Sequence, residues 1–376
     1  MARPFQFKLP PFDGHGGLTP EQRRAVNCEE AIFTGIPGTG KTTVAIWRIK
    51  KLKDNILLTY TRLLSAAIGH LTDNNTAGIW GAHEWYYNRC NGANLNDELD
   101  QGTALQTLQS NGVRLGKVII DEGQDLQKDF YNAIKSIAQR ISIGTDDAQQ
   151  LYDVDVDTAT LQRIFPGNIN NTLTRNFRNR YNIYNFARQF IPENPQANDP
   201  MLLQRLRNER PGGIVEVHIK SLEDDINALL VTIIENKGEG NIGILLSTKV
   251  QVDNYSQILE EQEISHSKYH SGLFWRDKRK IENNLQNILV TTYKSAKGLE
   301  FDTVIMPELE NFDDQDSNQY YVGASRAKSS LYLIGQEMSY ILHNFDSSTY
   351  SIDNQNLNQL SINPPPEDDD EDDLPF

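Results

Sequence analysis

Short apolar runs punctuate this chain, and polar or glycine-rich residues follow each one. Ala31-Ile-Phe-Thr34 reads as a buried strand. Ile56-Leu-Leu-Thr-Tyr-Thr-Arg62 reads as a second strand with polar residues at its end. Val118-Ile-Ile120 is β-branched, as expected of a central parallel strand covered on both faces. Ile141 to Tyr152 reads as a strand and loop, and Ile214–Ile219 and Ile242–Ser247 as strands of a second sheet. Helical stretches alternate with these runs. Thr19 and Pro20 mark a helix start, as cap and first-turn residue. Thr43–Lys51 continues as a helix behind a glycine-rich turn. Strands alternating with helices predict an α/β fold with mainly parallel sheets. No apolar run approaches the roughly 20 residues that cross a bilayer, and no repeat of solenoid length is present.

The polar ends of two runs carry chemistry. Residues 35–42 read Gly-Ile-Pro-Gly-Thr-Gly-Lys-Thr, a complete phosphate-binding loop between strand and helix. Gly35, Gly38 and Gly40 let backbone N–H groups wrap around phosphates. Lys41 supplies a point charge to the β- and γ-phosphates, and Thr42 a hydroxyl to Mg²⁺. Thr39 and Thr43 complete the nucleotide-contacting turn, whose helix directs its positive end at the anion. The second run ends in Asp121 and Glu122, at the sheet edge where open α/β folds bind ligands. Asp121 is assigned to Mg²⁺ through water, and Glu122 to polarising the attacking water. The pair of motifs predicts a nucleoside triphosphatase using ATP and Mg²⁺.

Composition narrows the setting. The 376 residues suit two or three domains, and 38% hydrophobic content suits two modest cores. Two cysteines, Cys28 and Cys90, are too few for a disulfide framework or a zinc site. With no apolar leader at the N-terminus, a cytoplasmic setting is expected. The net charge of −15 runs against nucleic-acid binding by overall field. Residues 367–373 are all acidic and hold seven of those charges, so any such binding needs a local basic groove.

Further segments in order are Leu173-Thr-Arg-Asn-Phe-Arg178, Ser295-Ala-Lys-Gly-Leu-Glu-Phe301 and Tyr321-Val-Gly-Ala-Ser-Arg-Ala327. With Val118–Leu126, they make residues 15 to 335 resemble a superfamily 1 helicase of the UvrD/Rep type. The resemblance implies two RecA-like lobes, 1–172 and 173–350, with ATP in the cleft and single-stranded DNA across the top. It implies that Gln22 reads adenine and Phe177 stacks on it. Gln149 would sense the γ-phosphate, and Arg178 and Arg326 would reach it as arginine fingers. Glu300 would hold the ribose, and Gly298 would let backbone approach the nucleotide. For DNA it implies Tyr60 and Thr61, His83 and Trp85, Tyr152, and Thr292 with Ser295. At least two of Trp80, Trp85, Tyr86 and Tyr87 are expected in the core. The basic run Arg276–Lys280 suits either phosphate contact or a solvated helix face. Three positions depart from the family pattern: Thr145 before Asp146, Lys294 in place of histidine, and Thr43 where arginine is frequent.

Full relatives insert large accessory subdomains. Here about 27 residues separate Cys90 from Val118, and 111 separate Arg178 from Val290. The expectation is a near-minimal motor. Residues 351–376 form a polar, proline-stiffened and acidic tail, expected to be disordered. Its end, Leu374-Pro375-Phe376, resembles the acidic tip of bacterial single-stranded-DNA-binding proteins, which implies docking on a protein partner. The combined expectation is a DNA translocase or helicase moving 3′ to 5′ in replication, repair or recombination. The alternative is a DNA-stimulated ATPase switch that regulates a nuclease or repair complex, including in phage defence.

Overall fold

The computed structural model describes residues 3–51, 55–69, 71, 78–89, 107–151, 156–237 and 239–354. Two sheets dominate it, and every strand pairing within them is parallel. The first sheet contains β1 (Ala31–Thr34), β2 (Asn55–Thr59), β3 (Ile79–Gly81), β4 (Leu115–Asp121), β5 (Ala138–Thr145) and β6 (Ile169–Thr172). Its spatial order is β3-β2-β4-β5-β1-β6. The second contains β7 (Ile214–Ile219), β8 (Ile242–Leu246), β9 (Ser267–Tyr269), β10 (Ile288–Thr292), β11 (Phe301–Met306), β12 (Ala327–Gly335) and β13 (Ser351–Asn354). Its order is β13-β7-β12-β11-β8-β10-β9. Parallel neighbours need crossovers, and helices supply them.

Strand chemistry explains strand position. β8 and β10 are buried along their whole length and sit inside the second sheet. The edges are short or polar: β3 and β9 have three residues each, and β6 reads Ile-Asn-Asn-Thr. Such edges blunt pairing with other chains. β13 takes in the first four residues of the segment expected to stay disordered. Asp353 explains why: it accepts from Lys220 Nζ at 2.8 Å and contacts His218 Nδ1 at 3.2 Å, pinning the strand to β7. Residues 355–376, including Leu374, Pro375 and Phe376, lie outside the described residues.

The largest core cluster is shared by both sheets. Part of it is an N-terminal strap whose alternating Phe5, Phe7 and Leu9 the sequence displays. Phe5 packs edge-on to Phe301 at 5.7 Å and donates its N–H to Leu285 O at 2.8 Å. Further on, Pro10 O accepts from Trp47 Nε1 at 3.0 Å, and Phe12 packs on the Trp47 ring. The strap therefore begins against the second lobe and ends against the first. No helix among the described residues is long and apolar enough to cross a membrane.

Candidate active site and nucleic-acid groove

β1 hands the chain directly to the phosphate loop, which enters the helix Lys41–Lys51. The segment after β6 lies on this loop. Leu173 N–H donates to Thr34 O at 2.8 Å, and Phe177 N–H to Gly38 O at 2.8 Å. Gly38 has φ +79°, and a Cβ there would sit 2.5 Å from Asn176 Oδ1. Only glycine satisfies both the left-handed backbone and the close approach. The helix Pro20–Asn27 starts with a capping box, in which Thr19 N–H donates to Gln22 Oε1 at 3.0 Å. Gln22 Nε2 donates to Thr39 O at 2.9 Å, so the glutamine also braces the loop. Lys41 Nζ donates to Gly35 O at 2.5 Å and pairs with Asp146 Oδ2 at 3.0 Å.

β4 delivers Asp121 at its C-terminal end, fully buried. Neither carboxylate oxygen has a well-formed hydrogen bond, although the Thr42 hydroxyl lies close enough to pull its pKa down. Burial, followed by the charge of Glu122, wins and pushes Asp121 up to about 7. An orphaned carboxylate beside a hydroxyl is the oxygen-donor set a hard divalent cation takes, so these residues fit Mg²⁺. Glu122 sits at φ 57°, a left-handed conformation that costs a non-glycine residue energy and recurs at functional turns. Burial would raise its carboxyl, but Lys297, Lys41 and Arg326 outweigh burial and hold it near 2. Gln124 Nε2 donates to Glu122 Oε2 at 2.7 Å and fixes its orientation.

The second lobe completes the cleft. Arg326 is fully buried, donating to Val322 O at 3.0 Å and to the Gln149 side-chain oxygen. Gln149 donates in turn to Asp146. Lys41, Asp146, Gln149 and Arg326 thus form one polar chain from the phosphate loop to the other lobe. Burial, then repulsion from Arg178, lowers Arg326 to about 9, which leaves it cationic at neutral pH. Arg178 Nε reaches Glu300 Oε2 at 3.4 Å. Gly298 has φ +84°, and a Cβ there would lie 2.4 Å from Leu64 Cδ2. The close approach it permits is thus to the first lobe as well as to the cleft.

These groups surround a cleft of about 620 Å³. Gln22, Gly38, Gly40, Lys41, Thr42, Thr43, Glu122, Gln149, Phe177, Arg178, Gly298, Glu300 and Arg326 all line it. Gly35, Thr39 and Asp121 do not. Thr39 turns its hydroxyl to Ile36 O at 2.9 Å, Gly35 holds Lys41, and Asp121 lies beneath the surface. Sequence reasoning missed three contributors. The N-terminal strap lines the cleft with Phe7 and Lys8. Asp146, the neighbour of Thr145, holds both Lys41 and Gln149. Lys297 is completely buried, pairs with Asp125, donates to Gln149 O at 2.5 Å and lies 3.8 Å from Glu122. A lysine between alanine and glycine was the available signal.

A second interlobe groove, of about 770 Å³, brings together Tyr60, Thr61, His83, Thr292 and Ser295. Arg62, Lys249, Lys278 and Lys294 also line it, which gives the acidic chain a local basic surface. Tyr60 and His83 meet edge-to-face at 5.4 Å, and burial lowers the His83 pKa. Thr61 Oγ1 donates to Lys297 O at 3.2 Å, linking this groove to the cleft. Arg62 spans the lobes by a bidentate pair with Glu282, at 3.0 and 2.9 Å. Trp85 is a correction. It is 2% exposed and packs in the core with Tyr86, so it cannot offer a face to a base here. The expectation that at least two of the four aromatics are core therefore holds, while Trp80 and Tyr87 are exposed. Tyr152 lies outside the described residues.

Residues 287–334 match the UvrD-like helicase C-terminal domain family. That span includes Thr292, Ser295, Lys297, Gly298, Glu300 and Arg326. No curated protein matches the chain significantly. The fold is similar to that of S. cerevisiae Dbp5 bound to RNA and ADP BeF3, at 14% identity, 92% of each chain and a TM-score of 0.57. The C-terminal domain of a possible DNA helicase from Lactobacillus plantarum WCFS1 is 18% identical, covering 47% of this chain and 98% of its own at a TM-score of 0.36. That likeness is too distant to add to the fold assignment. The fold is thus one of two RecA-like lobes, and a segment of the second lobe matches the UvrD-like helicase C-terminal domain family.

Proposed function

We propose that this chain is a superfamily 1 ATPase that moves along single-stranded DNA, 3′ to 5′, and couples hydrolysis to lobe motion. The observation that carries the reading is the cleft itself, because neither lobe alone holds the set Lys41, Glu122, Arg178 and Arg326. Lys41 and the loop N–H groups bind the β- and γ-phosphates. Thr42 and Asp121 would hold Mg²⁺, which when bound supplies positive charge at the phosphate oxygens. Glu122, kept ionised, orients the attacking water. Arg178 and Arg326 stabilise charge that develops on the transferring phosphoryl group. Gln149 bonds Arg326 and its backbone holds Lys297, whose own carbonyl accepts from Thr61 in the groove. A change at the phosphate thus has a short polar route to the strand.

A second reading is a DNA-stimulated switch acting on a partner, without processive movement. The compact connections favour it: β7 to β9 and their helices occupy the stretch where relatives of this type carry a large insertion. We also propose that the acidic segment ending Leu374-Pro375-Phe376 docks on a partner protein, the ring filling an apolar pocket and carboxylates meeting Arg or Lys. ATPase rates with single-stranded DNA, single-stranded RNA and duplex DNA test the core reading. Displacement of a bound blocker from single-stranded DNA separates motor from switch. Strong stimulation with ATP-dependent displacement supports the motor; stimulation without displacement rejects it.

A further inference from the structure

The helix Trp275–Asn283 has no buried residue, yet it begins with two consecutive large aromatics. Phe274 is 81% exposed and Trp275 is 60% exposed. Exposing that much apolar surface is unfavourable unless something covers it. Helical spacing says where these rings stand. Trp275 is three before Lys278 and seven before Glu282, so these three share a face, and Phe274 precedes Trp275 as the helix N-cap. Lys278 lines the basic groove, and Glu282 holds Arg62 from its wall. The aromatic pair therefore stands at the groove's rim. The guanidinium groups of Arg276 and Arg279 lie 5.4 and 5.9 Å from the Trp275 ring centre. An aromatic face flanked by arginine and continuous with a lysine-lined groove is how proteins hold single strands without reading sequence.

We infer that Phe274 and Trp275 form a stacking step that extends the groove for single-stranded DNA. The inference rests on the groove reading above. Charge complementarity selects the occupant. Lys249, Lys278 and Lys294 line the groove, and Arg276 and Arg279 flank the Trp275 ring on the adjoining helix, so a polyanion with exposed base faces matches both halves.

The test is fluorescence anisotropy with a labelled oligo-dT of about 20 nucleotides and an abasic oligomer of equal length. Phe274→Ala/Trp275→Ala should weaken oligo-dT binding roughly tenfold or more, as loss of stacking does. Binding to the abasic strand should not change, and Trp275→Phe should keep most of the affinity. The slope of affinity against salt should stay at the wild-type value, whereas Lys278→Ala lowers it by about 0.7. Unchanged oligo-dT affinity in the double variant overturns the stacking step while leaving the groove intact. Equal losses on both oligomers also overturn it, since bases would then not be what the rings hold. Failure of the wild-type chain to bind oligo-dT would remove the groove reading and this inference with it.

Discussion

Lys297 carries a charge through the lobe interface with none of its surface reaching water. Methionine keeps its length and removes that charge. Taking one partner from a buried ion pair costs about 3–5 kcal/mol, because the other charge is stranded. The stranded group is Asp125, whose carboxyl burial already pushes up against the pull of Lys297. Asp125 escapes part of the cost by taking a proton, so the lower end, about 3 kcal/mol, applies. The 376-residue chain implies an unfolding entropy of about 0.8 kcal/mol/K, so Lys297→Met should lower Tm by about 4 °C. The sign with pH follows. Without Lys297 the folded-state carboxyl lies still further above its unfolded value, so the folded protein binds a proton that the unfolded chain lacks. That contribution is lost as pH rises. The deficit should therefore be larger at about pH 8 than at about pH 5. Asp125→Asn in the same chain should recover part of it, with a coupling of about 0.5–3 kcal/mol. Circular dichroism melts of the four proteins at both pH values are the assay. A melt within about 1 °C of wild type, a deficit independent of pH, or zero coupling would refute the account.

Lys41→Ala should abolish ATP turnover, read by phosphate release; substantial residual DNA-stimulated hydrolysis rejects the assigned cleft. Gly38→Ala forces a side chain into left-handed backbone and against Asn176, at a cost of about 1–3 kcal/mol. It should weaken nucleotide binding far more than oligonucleotide binding, and equal losses in the two titrations would contradict that. Hydrogen bonds from Lys220 and His218 hold Asp353 below its ordinary value, so its contribution is present at neutral pH and fades below about pH 4. Amide exchange along β13 should accelerate as pH falls through that window once intrinsic rates are corrected, and Asp353→Asn should remove the dependence. A chain ending at Asn363 should keep the DNA-stimulated ATPase rate of the full chain; stimulation seen only after truncation would make the acidic segment an inhibitor of this protein's own groove.

Much of the framework was legible in the sequence because its signals are local. The limits of β1 and β7 follow from their apolar runs, and the phosphate loop from glycines whose backbone need is set within a few residues. Asp121 and Glu122 stand out because paired carboxylates close a β-branched strand at its C-terminal end. The aromatic segment was less legible. Trp85 and Tyr60 look alike along the chain, but Trp85 is buried in the core cluster that includes Ile120 and Phe130 while Tyr60 lines the groove. Ring chemistry fits both places, so only the neighbours decide.

The sequence by itself determined the α/β architecture, the glycine-rich loop after β1 and the carboxylates after β4, since each depends on residue type and short-range spacing. Tertiary structure decided what crosses between lobes. Lys297 meets Asp125, Arg326 meets Gln149, and Arg62 meets Glu282 across separations of 172, 177 and 220 residues. The strap from Phe5 to Phe12 is likewise fixed by surfaces on both lobes. Such groups acquire their burial, and hence their energetic weight, only when distant segments exclude water around them.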